Sequence, residues 1–302
     1  MTALPPRPKA VIDAHHHVWD LANDLPWLKH ERVPFRYGDY SAICRDYMPA
    51  DYRADTAGWP VVGSVYVEAE WNRDLAAEES RWVAAVASEY GLPSAVVAWC
   101  DFARPEAGRL LAAHASVPIV RGVRHKPAAA PRPDEARRGA PGSMDDPAWR
   151  AGYALMERHG LSYDLQTPWW HLDAAADLAR DFPRTRIVIN HTGLPADRSS
   201  EGLGAWRRAL ERAAAQDNVA IKISGIGRPG LPWTVEANAP VIRDAIAIFG
   251  IDRAMFASNF PVDGLVGDFD TIFSGFLAAT AERAESDRDK LFHDNAVRIY
   301  RL

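Results

Sequence analysis

Two histidines separated by one residue, His15 and His17, lie near the start of the chain in the segment AVIDAHHHVWD. Alternate residues of a β-strand share a face, so Asp13, His15 and His17 should lie on one side, while His16 faces away. His191 ends a later apolar run. Because zinc commonly takes three protein ligands and keeps one position open, His15, His17 and His191 permit a site for a single divalent metal ion, with zinc as the first choice.

The acid–base partner of such a site has several candidates. Asn259 ends another apolar run, but a neutral amide cannot accept a proton at useful pH. It could still hold a water molecule, or bind a metal weakly through its carbonyl oxygen. The sequence offers Asp263, Glu68, Glu70 or a neutral His191 as the catalytic base. Asp263 lies nearest to Asn259 in sequence, and it could equally be a simple turn residue.

A third group of side chains could bind the substrate. Arginine reads carboxylates through two parallel hydrogen bonds, so several cations at one rim would suit an acid-bearing or hydroxyl-rich molecule. Tryptophans there could stack on a sugar or aromatic ring, or could seal the mouth of the site. The predicted substrate-binding residues are Trp19, Arg73, Arg124, His125, Gln166, Trp169 and Lys222, with Lys126, Arg228 and Trp170 nearby. One or two of the cations could instead pair with Glu68, Glu70 or Asp164.

These side chains follow eight short apolar runs that alternate with helical patterns. The runs are AVIDAHHH, VVGSVYVEAE, SAVVAWCD, PIVRGVRH, GLSYDLQ, RIVINHTG, NVAIKISG and RAMFASNF. Near-continuous apolar runs suit parallel strands that are buried on both faces. Eight strand–helix units predict an α/β fold, a (β/α)8 TIM barrel with its active site at the carboxyl ends of the strands. The rival, a doubly wound sheet, would normally carry a glycine-rich phosphate loop where this chain has histidines.

The connections between the runs complete the prediction of a single barrel domain over residues 1–302. The pattern at residues 145–160, DDPAWRAGYALMERHG, predicts one helix with an acidic cap and a proline in its first turn. Two long connections, at about residues 21–58 and 127–146, are typical of loops that build or cover an active site, and the second is predicted to be mobile.

Composition restricts the class of function. The chain has 302 residues and a formal net charge of -5, without a strongly basic region, which argues against nucleic-acid binding. Cys44 and Cys100 form no metal-ligand spacing and are predicted to be reduced thiols. The N-terminus lacks the apolar core of a signal peptide, and no run is long enough to span a bilayer. We therefore expect a soluble cytoplasmic protein acting on a small molecule, with the oligomeric state open between monomer and homo-oligomer.

The ordered set of motifs DAHHHVW, VYVEA, GVRH, NHTGLP, KISG and DRAMFASNFPVD resembles the amidohydrolase superfamily, from residue 11 to about residue 300. More closely, it is similar to the amidohydrolase-2-type branch. That branch contains sugar lactonases for fuconolactone and rhamnonolactone, together with 2-pyrone-4,6-dicarboxylate lactonase. The resemblance implies a (β/α)8 barrel and, most often, hydrolysis of a lactone ester in carbohydrate or aromatic catabolism.

Residue by residue, the resemblance matches His15 and His17 to the histidine pair of the first strand, which binds metal in the wider superfamily. His191 matches the histidine of the sixth strand, and Asn259 falls where most relatives have an aspartate. In this branch the metal is not always required, so the predicted hydrolase is either metal-dependent or metal-independent. Two alternatives stay open: a metal-dependent decarboxylase of aromatic or muconate-type acids, and a barrel that only binds a ligand.

Overall fold

The computed structural model describes residues 4–302, and its centre is one eight-stranded parallel sheet in which each strand pairs with the next in chain order. All eight apolar runs form the predicted strands. Their bounds are β1 Val11–His16, β2 Val61–Val67, β3 Ala95–Trp99, β4 Val120–His125, β5 Ser162–Leu165, β6 Ile187–Ile189, β7 Val219–Ile223 and β8 Ala254–Phe256. The predicted (β/α)8 barrel is therefore confirmed.

The first and last strands meet through the segment that follows β8. The amide of Asn259 donates to the carbonyl oxygen of His15 at 2.7 Å, and the amide of His17 donates to the carbonyl oxygen of Phe260 at 2.8 Å. The barrel is thus joined at the level of the histidine segment, so the two chain regions that meet here also supply the histidine pair and Asn259.

Helices surround the sheet. They are α1 Pro26–Lys29, α2 Pro49–Asp55, α3 Ala76–Tyr90, α4 Ala107–Ala115, α5 Pro147–Tyr153, α6 Met156–His159, α7 Leu172–Asp181, α8 Ser200–Ala214, α9 Val235–Phe249, α10 Phe269–Ala279, α11 Glu285–Asp289 and α12 Asn295–Tyr300, with a π-helical turn at Lys290–Asp294. The predicted helix at 145–160 is divided into α5 and α6. Its acidic cap is Asp146, whose side chain accepts from the amide of Ala148. No helix within residues 4–302 has the length and apolar character needed to cross a membrane.

The interior of the barrel is apolar at its amino-terminal end and becomes polar towards the carboxyl ends of the strands. Ile12, Ala14, Val65 and Val97 pack there with residues of α12, which closes that end. Above this layer lies a buried ion pair in which the Lys222 ammonium is 2.6 Å from the Asp164 carboxylate. Burying charged groups inside a barrel costs free energy unless they are paired. This ion pair lies directly beneath the candidate site.

The two long connections behave differently. Residues 21–58 contain α1 and α2 and fold over the carboxyl ends of the strands, where several of them line the central cavity. Residues 127–146 contribute no residue to that cavity. They are anchored instead by the indole of Trp170, which donates to the carbonyl oxygen of Ala130 at 3.0 Å.

Candidate active site

The first strand delivers its histidines through a break in its regular alternation. Ile12 and Ala14 face the barrel interior, and the register of β1 against β2 shifts between Asp13 and His16. Such a bulge moves the next side chains to the opposite face. His15 therefore turns towards the site beside His17, with ring centroids 5.1 Å apart.

The bulge explains the positions of Asp13 and His16, the first of which differs from the prediction and the second of which agrees with it. Asp13 does not share a face with His15 and His17, because its carboxylate accepts from the Tyr52 hydroxyl at 2.8 Å. The His16 ring lies on that same tyrosine, with centroids 4.3 Å apart. His16 therefore faces away from the other two histidines, as predicted, and is packed between the strand and α2.

His15, His17 and His191 form one cluster of imidazole rings. The His15 ring lies 4.7 Å from that of His191. Both of its ring nitrogens are buried, and neither has a hydrogen-bond partner among residues 4–302. The Nδ1 atom of His17 is 2.7 Å from the carbonyl oxygen of Val67, so it carries the proton, and Nε2 has a free lone pair. The Nδ1 atom of His191 is 2.9 Å from the Ser224 hydroxyl.

Electrostatics keep these rings neutral. Burial, followed by the nearby charge of Lys222, lowers the pKa of His15 well below its ordinary value. Burial likewise lowers the pKa of His17 to about 4 and, with the charge of Arg36, strongly lowers the pKa of His191. A neutral imidazole with an unshared lone pair is the form that binds metal, so the donor chemistry of the cluster fits a divalent ion. Within residues 4–302, however, no three His, Cys, Asp or Glu side chains stand in the arrangement of a formed metal site.

Three residues at the ends of different strands adopt the left-handed backbone conformation that non-glycine residues rarely take. These are Glu70, His191 and Asn259, with φ of 59°, 53° and 58°. Such conformations cost of order 1–3 kcal/mol each and persist where the surrounding structure imposes them. All three side chains line the same cavity, so the strained positions coincide with the site.

Asn259 is held by the carboxylate that follows it by four residues. Its Nδ2 atom donates to Asp263 Oδ1 at 2.7 Å, and Asp263 also accepts from the Tyr37 hydroxyl and the Gly225 amide, each at 3.0 Å. Burial raises the pKa of Asp263 to about 6. Asp263 does not line the cavity, and both of its oxygens already accept hydrogen bonds. It positions Asn259 rather than facing the substrate.

Glu68 lies on the cavity wall between two arginines. Its carboxylate is 2.6 Å from the Arg124 guanidinium and 2.8 Å from that of Arg73. Burial alone would raise the pKa of Glu68, but these cations outweigh it and hold the pKa well below the usual range. A carboxylate that stays ionised and doubly paired is a weak proton acceptor, so this geometry disfavours Glu68 as the catalytic base.

The cavity enclosed by these groups has a volume of about 310 Å³. Its upper wall is aromatic: the Trp27 ring is edge-on to Trp19 at 5.7 Å and stacked on Phe35 at 5.8 Å. Its side walls are charged and polar. The residues that line it are His17, Trp19, Trp27, Val33, Pro34, Phe35, Arg36, Glu68, Ala69, Glu70, Arg124, Lys126, Gln166, His191, Asn259 and Val262. The cavity therefore combines an aromatic wall with charged and polar groups.

Several predicted substrate-binding residues lie outside the cavity wall. Lys222 is fully buried beneath it, paired with Asp164. His125 accepts from the Trp149 indole at 3.1 Å, and Trp169 packs edge-on against Trp170. Arg73 stands behind Glu68 with its guanidinium over the ring of Trp99. Arg228 is half-buried away from the cavity, whereas the predicted Trp19, Arg124 and Gln166 line it.

Sequence reasoning missed the residues of the long first connection that complete the cavity. Trp27, Phe35 and Arg36 all line it, although the connection as a whole was expected to cover the site. The Arg36 guanidinium donates to the carbonyl oxygen of Gly225 at 2.8 Å and so lies beside the end of β7. No periodic pattern in a loop distinguishes such residues from their exposed neighbours, so only the fold identifies them.

Comparison with known proteins agrees with this architecture. A family model described as Amidohydrolase matches residues 12–302. The chain therefore belongs to the amidohydrolase family, and the predictions of that family and of an enzyme are confirmed.

Individual relatives match over nearly their whole length. The protein y4mH of Sinorhizobium fredii is 40% identical over 97% of this chain and 99% of its own. L-fucono-1,5-lactonase of Burkholderia ambifaria is 29% identical over 96% of this chain and 95% of its own. An amidohydrolase of Burkholderia multivorans, solved with bound zinc, superposes with a TM-score of 0.79 at 24% identity, covering 97% of this chain and 99% of its own, and so shares the fold.

Proposed function

We propose that this protein hydrolyses a lactone by adding water to the cyclic ester. The observation that carries the proposal is a cluster of three buried, neutral histidines, two of which, His17 and His191, line the cavity together with the buried Arg124. The similarity to enzymes named L-fucono-1,5-lactonase supports the same reaction class. An aldonolactone or a pyrone- or muconolactone-type ester fits the size and polarity of the cavity.

The charge states of the carboxylates indicate how water would be activated. Glu68 is ionised and paired with two arginines, and Asp263 is saturated behind Asn259. Glu70 lines the cavity, but Lys126 and other cations lower its pKa although burial opposes them. None of these carboxylates combines cavity exposure with a raised pKa, which a general base needs near neutral pH. Without such a base, water can be activated only if its own pKa is lowered when it binds in the site.

The residues that would hold a divalent ion are His15, His17 and His191, with the carbonyl oxygen of Asn259 beside them. When bound, such an ion lowers the pKa of water and polarises a carbonyl group. The Val67 carbonyl fixes His17 with Nε2 free, and Ser224 can accept the Nδ1 proton of His191 in the same way. These contacts orient the rings before any ligand arrives.

The remaining wall residues act on the substrate directly. Arg124 is held by Glu68 and donates to Gln166 Oε1 at 3.1 Å, so its guanidinium is immobilised beside the cavity. Preorganised cations stabilise the negative charge that develops on the carbonyl oxygen as water adds. Asn259 presents its carbonyl oxygen as an acceptor for the attacking water. Trp19 and Trp27 cover the ring of the substrate and exclude bulk water.

A panel of lactones assayed with a pH indicator tests the proposal. L-fucono-1,5-lactone, other aldonolactones, a muconolactone and 2-pyrone-4,6-dicarboxylate are offered to the protein with and without added zinc or manganese. We expect acid release on at least one of them, lost in His15→Ala and His191→Ala but kept in His30→Ala, which changes an exposed histidine. No turnover by folded protein across the panel would contradict the proposal.

A second candidate reaction is favoured by one observation, the amide at position 259. Decarboxylation needs no hydrolytic base, so Asn259 in place of a carboxylate is compatible with it. Release of carbon dioxide from substituted benzoates, without acid release from any lactone, would favour this reaction over lactone hydrolysis.

A further inference from the structure

Arg36 differs from the other cations of the cavity in having no carboxylate partner. Arg124 pairs with Glu68, and Lys126 pairs with Glu70. Within residues 4–302, Arg36 forms no ion pair with a carboxylate. One of its nitrogens donates to the Gly225 carbonyl oxygen at 2.8 Å, and its guanidinium also interacts with the neighbouring Tyr37. Its guanidinium is half-buried on the wall beside His191 and Asn259.

The charges around the cavity do not balance without a ligand. Glu68 and Glu70 face it, with Arg124, Lys126 and Arg73 around them. Arg36 lies on another part of the wall, beside Gly225 and His191. The charge of Arg36 acts against the burial that raises the pKa of Asp263. The Asp263 oxygens, however, accept hydrogen bonds from Asn259, Tyr37 and Gly225 rather than from Arg36.

Counting Asp263 as well, four cations stand against three carboxylates. An excess of positive charge around a partly buried cavity attracts an anionic ligand.

The backbone at position 225 leaves room for this guanidinium. Gly225 has φ of +59°, and a Cβ atom there would lie 2.5 Å from an Arg36 nitrogen and 2.5 Å from His191 Nδ1. Only glycine admits both side chains at this distance, since it has no Cβ and tolerates positive φ. The glycine at the end of β7 therefore allows Arg36 to lie close to His191 of the histidine cluster.

We propose that Arg36 binds a carboxylate of the substrate, and that the substrate is consequently an acid lactone, a cyclic ester that carries a free carboxylate elsewhere in the molecule. This inference rests on the proposed lactone hydrolysis and names its substrate class. Guanidinium pairs with carboxylate through two parallel hydrogen bonds, which gives both affinity and orientation. The aromatic wall of Trp19, Trp27 and Phe35 covers the ring while Arg36 fixes the acidic substituent.

The reaction balances with water as the only co-substrate. Water adds to the lactone carbonyl, and the acyl carbon–oxygen bond of the ring breaks. The ring oxygen leaves as a hydroxyl group carrying one proton of the water, and the other proton is released as the new acid ionises. The product is an open-chain dicarboxylate, so binding its second carboxylate at Arg36 keeps the nascent carboxylate near the histidines and Arg124.

Two lactones that differ in one group test the inference. D-galactaro-1,4-lactone carries a carboxylate at the carbon where D-galactono-1,4-lactone carries a hydroxymethyl group. We expect wild-type protein to favour the acid lactone in kcat/KM by about tenfold or more, the typical effect of a hydrogen bond to a charged group. Arg36→Gln, which removes the positive charge but keeps a polar side chain, should reduce this preference by a similar factor, mainly through KM.

The control is Arg32→Gln, which removes an exposed cation from the same loop. Arg32 contacts Cys44 and Tyr40 and does not line the cavity. It should leave the preference as in the wild type. Equal use of the two lactones by the wild type, or an equal loss on both in Arg36→Gln, would overturn the inference while leaving lactone hydrolysis intact.

A binding measurement keeps the two proposals separable if neither lactone is turned over. Trp19 and Trp27 line the cavity, so their fluorescence reports occupancy. Galactarate should change this fluorescence in the wild type at lower concentration than galactonate, and the difference should disappear in Arg36→Gln. That result would support the anion site even if hydrolysis failed, whereas equal binding of the two acids by the wild type would overturn it.

Discussion

Asn259 Nδ2 donates a 2.7 Å hydrogen bond to Asp263 Oδ1, and this contact fixes the orientation of the amide in the cavity wall. An ionised carboxylate only accepts hydrogen bonds, so the amide nitrogen must face Asp263 and the carbonyl oxygen must face the other way. The Asn259 side chain also interacts with His17. The segment after β8 thus contains a carboxylate, Asp263, but the Asn259 amide lies between it and the cavity.

Exchanging the two residues tests this arrangement. Asn259→Asp alone would place two buried carboxylates in contact, and we expect a loss of stability on the order of 3 kcal/mol at pH 8. At pH 5 the pair can share a proton, so the loss should shrink. The double variant Asn259→Asp, Asp263→Asn restores a carboxylate–amide pair and should recover most of the stability at both pH values. Chemical unfolding measures all three; equal stability of the single and double variants would contradict the arrangement.

Glu79 gives a prediction of pH dependence away from the cavity. Burial, with the charge of Glu68, raises the pKa of Glu79 from 4.5 to about 7. Between these values the folded protein retains a proton that the unfolded chain has released, so stability falls as pH rises through this window. Glu79→Gln can keep the bonds from the Tyr66 hydroxyl and Ala69 amide. It should be more stable than wild type at pH 8 by up to about 3 kcal/mol, with little difference near pH 4.5.

Thermal unfolding across this range measures the effect of Glu79→Gln. Glu89→Gln, on the exposed side of the same helix, is the matched control and should change stability little at either pH. A destabilised Glu79→Gln at pH 8 would show instead that the ionised carboxylate is required there.

The Glu68 ion pairs predict a contrast between a buried and an exposed carboxylate. Glu68→Gln removes the carboxylate that pairs with the buried Arg124 and leaves Arg73 with Glu70 alone, and removing one member of a buried pair costs about 3–5 kcal/mol. Part of Arg73 reaches solvent, so we expect the lower end of that range. Glu78→Gln removes the exposed partner of Arg81 and should cost about 0.5 kcal/mol or less. Urea unfolding of the two variants measures the difference; equal losses would contradict the structural account.

The histidine cluster predicts that zinc stabilises the folded protein. A ligand that binds only the native state raises stability by about 3 kcal/mol when its free concentration is about 100 times Kd. Zinc should therefore raise the melting temperature of wild-type protein, and magnesium, which prefers oxygen ligands, should not. His15→Ala should lose the shift, and His30→Ala should keep it. An undiminished shift in His15→Ala would contradict the assignment of the three ligands.

The apolar runs were sufficient to predict the barrel, because strands buried on both faces need continuous apolar sequence. The same logic failed within β1, where strict alternation placed Asp13 with His15 and His17. A bulge between Asp13 and His16 changes the face, and bulges depend on pairing with a neighbouring strand that the local sequence does not reveal. Because of that irregularity, His15 and His17 lie on the same side of the strand as Ile12 and Ala14, facing the site.

The sequence also did not reveal which side chains each strand cation contacts in the fold. Lys222 and Arg124 both occupy barrel strands, and the sequence predicted both to bind substrate. In the fold, Lys222 meets Asp164 beneath the cavity, while Arg124 reaches the wall beside Glu68. These distances depend on how far each side chain lies along its strand within the closed barrel, a three-dimensional relationship that motif spacing does not encode. Arg36 was missed for the same reason, since its neighbours at the site are about 190 residues away in sequence.

The contact between the His15 and Asn259 backbones has a consequence for how the protein is made. A ribosome synthesises the first histidines early and Asn259 only after more than four-fifths of the chain has emerged. Until that segment docks, Asn259 is absent from the cavity wall beside the histidines of β1. Nascent chains and proteolytic fragments that end before β8 should therefore lack activity altogether, so activity can appear only after the segment that follows β8 has been made and has docked against β1.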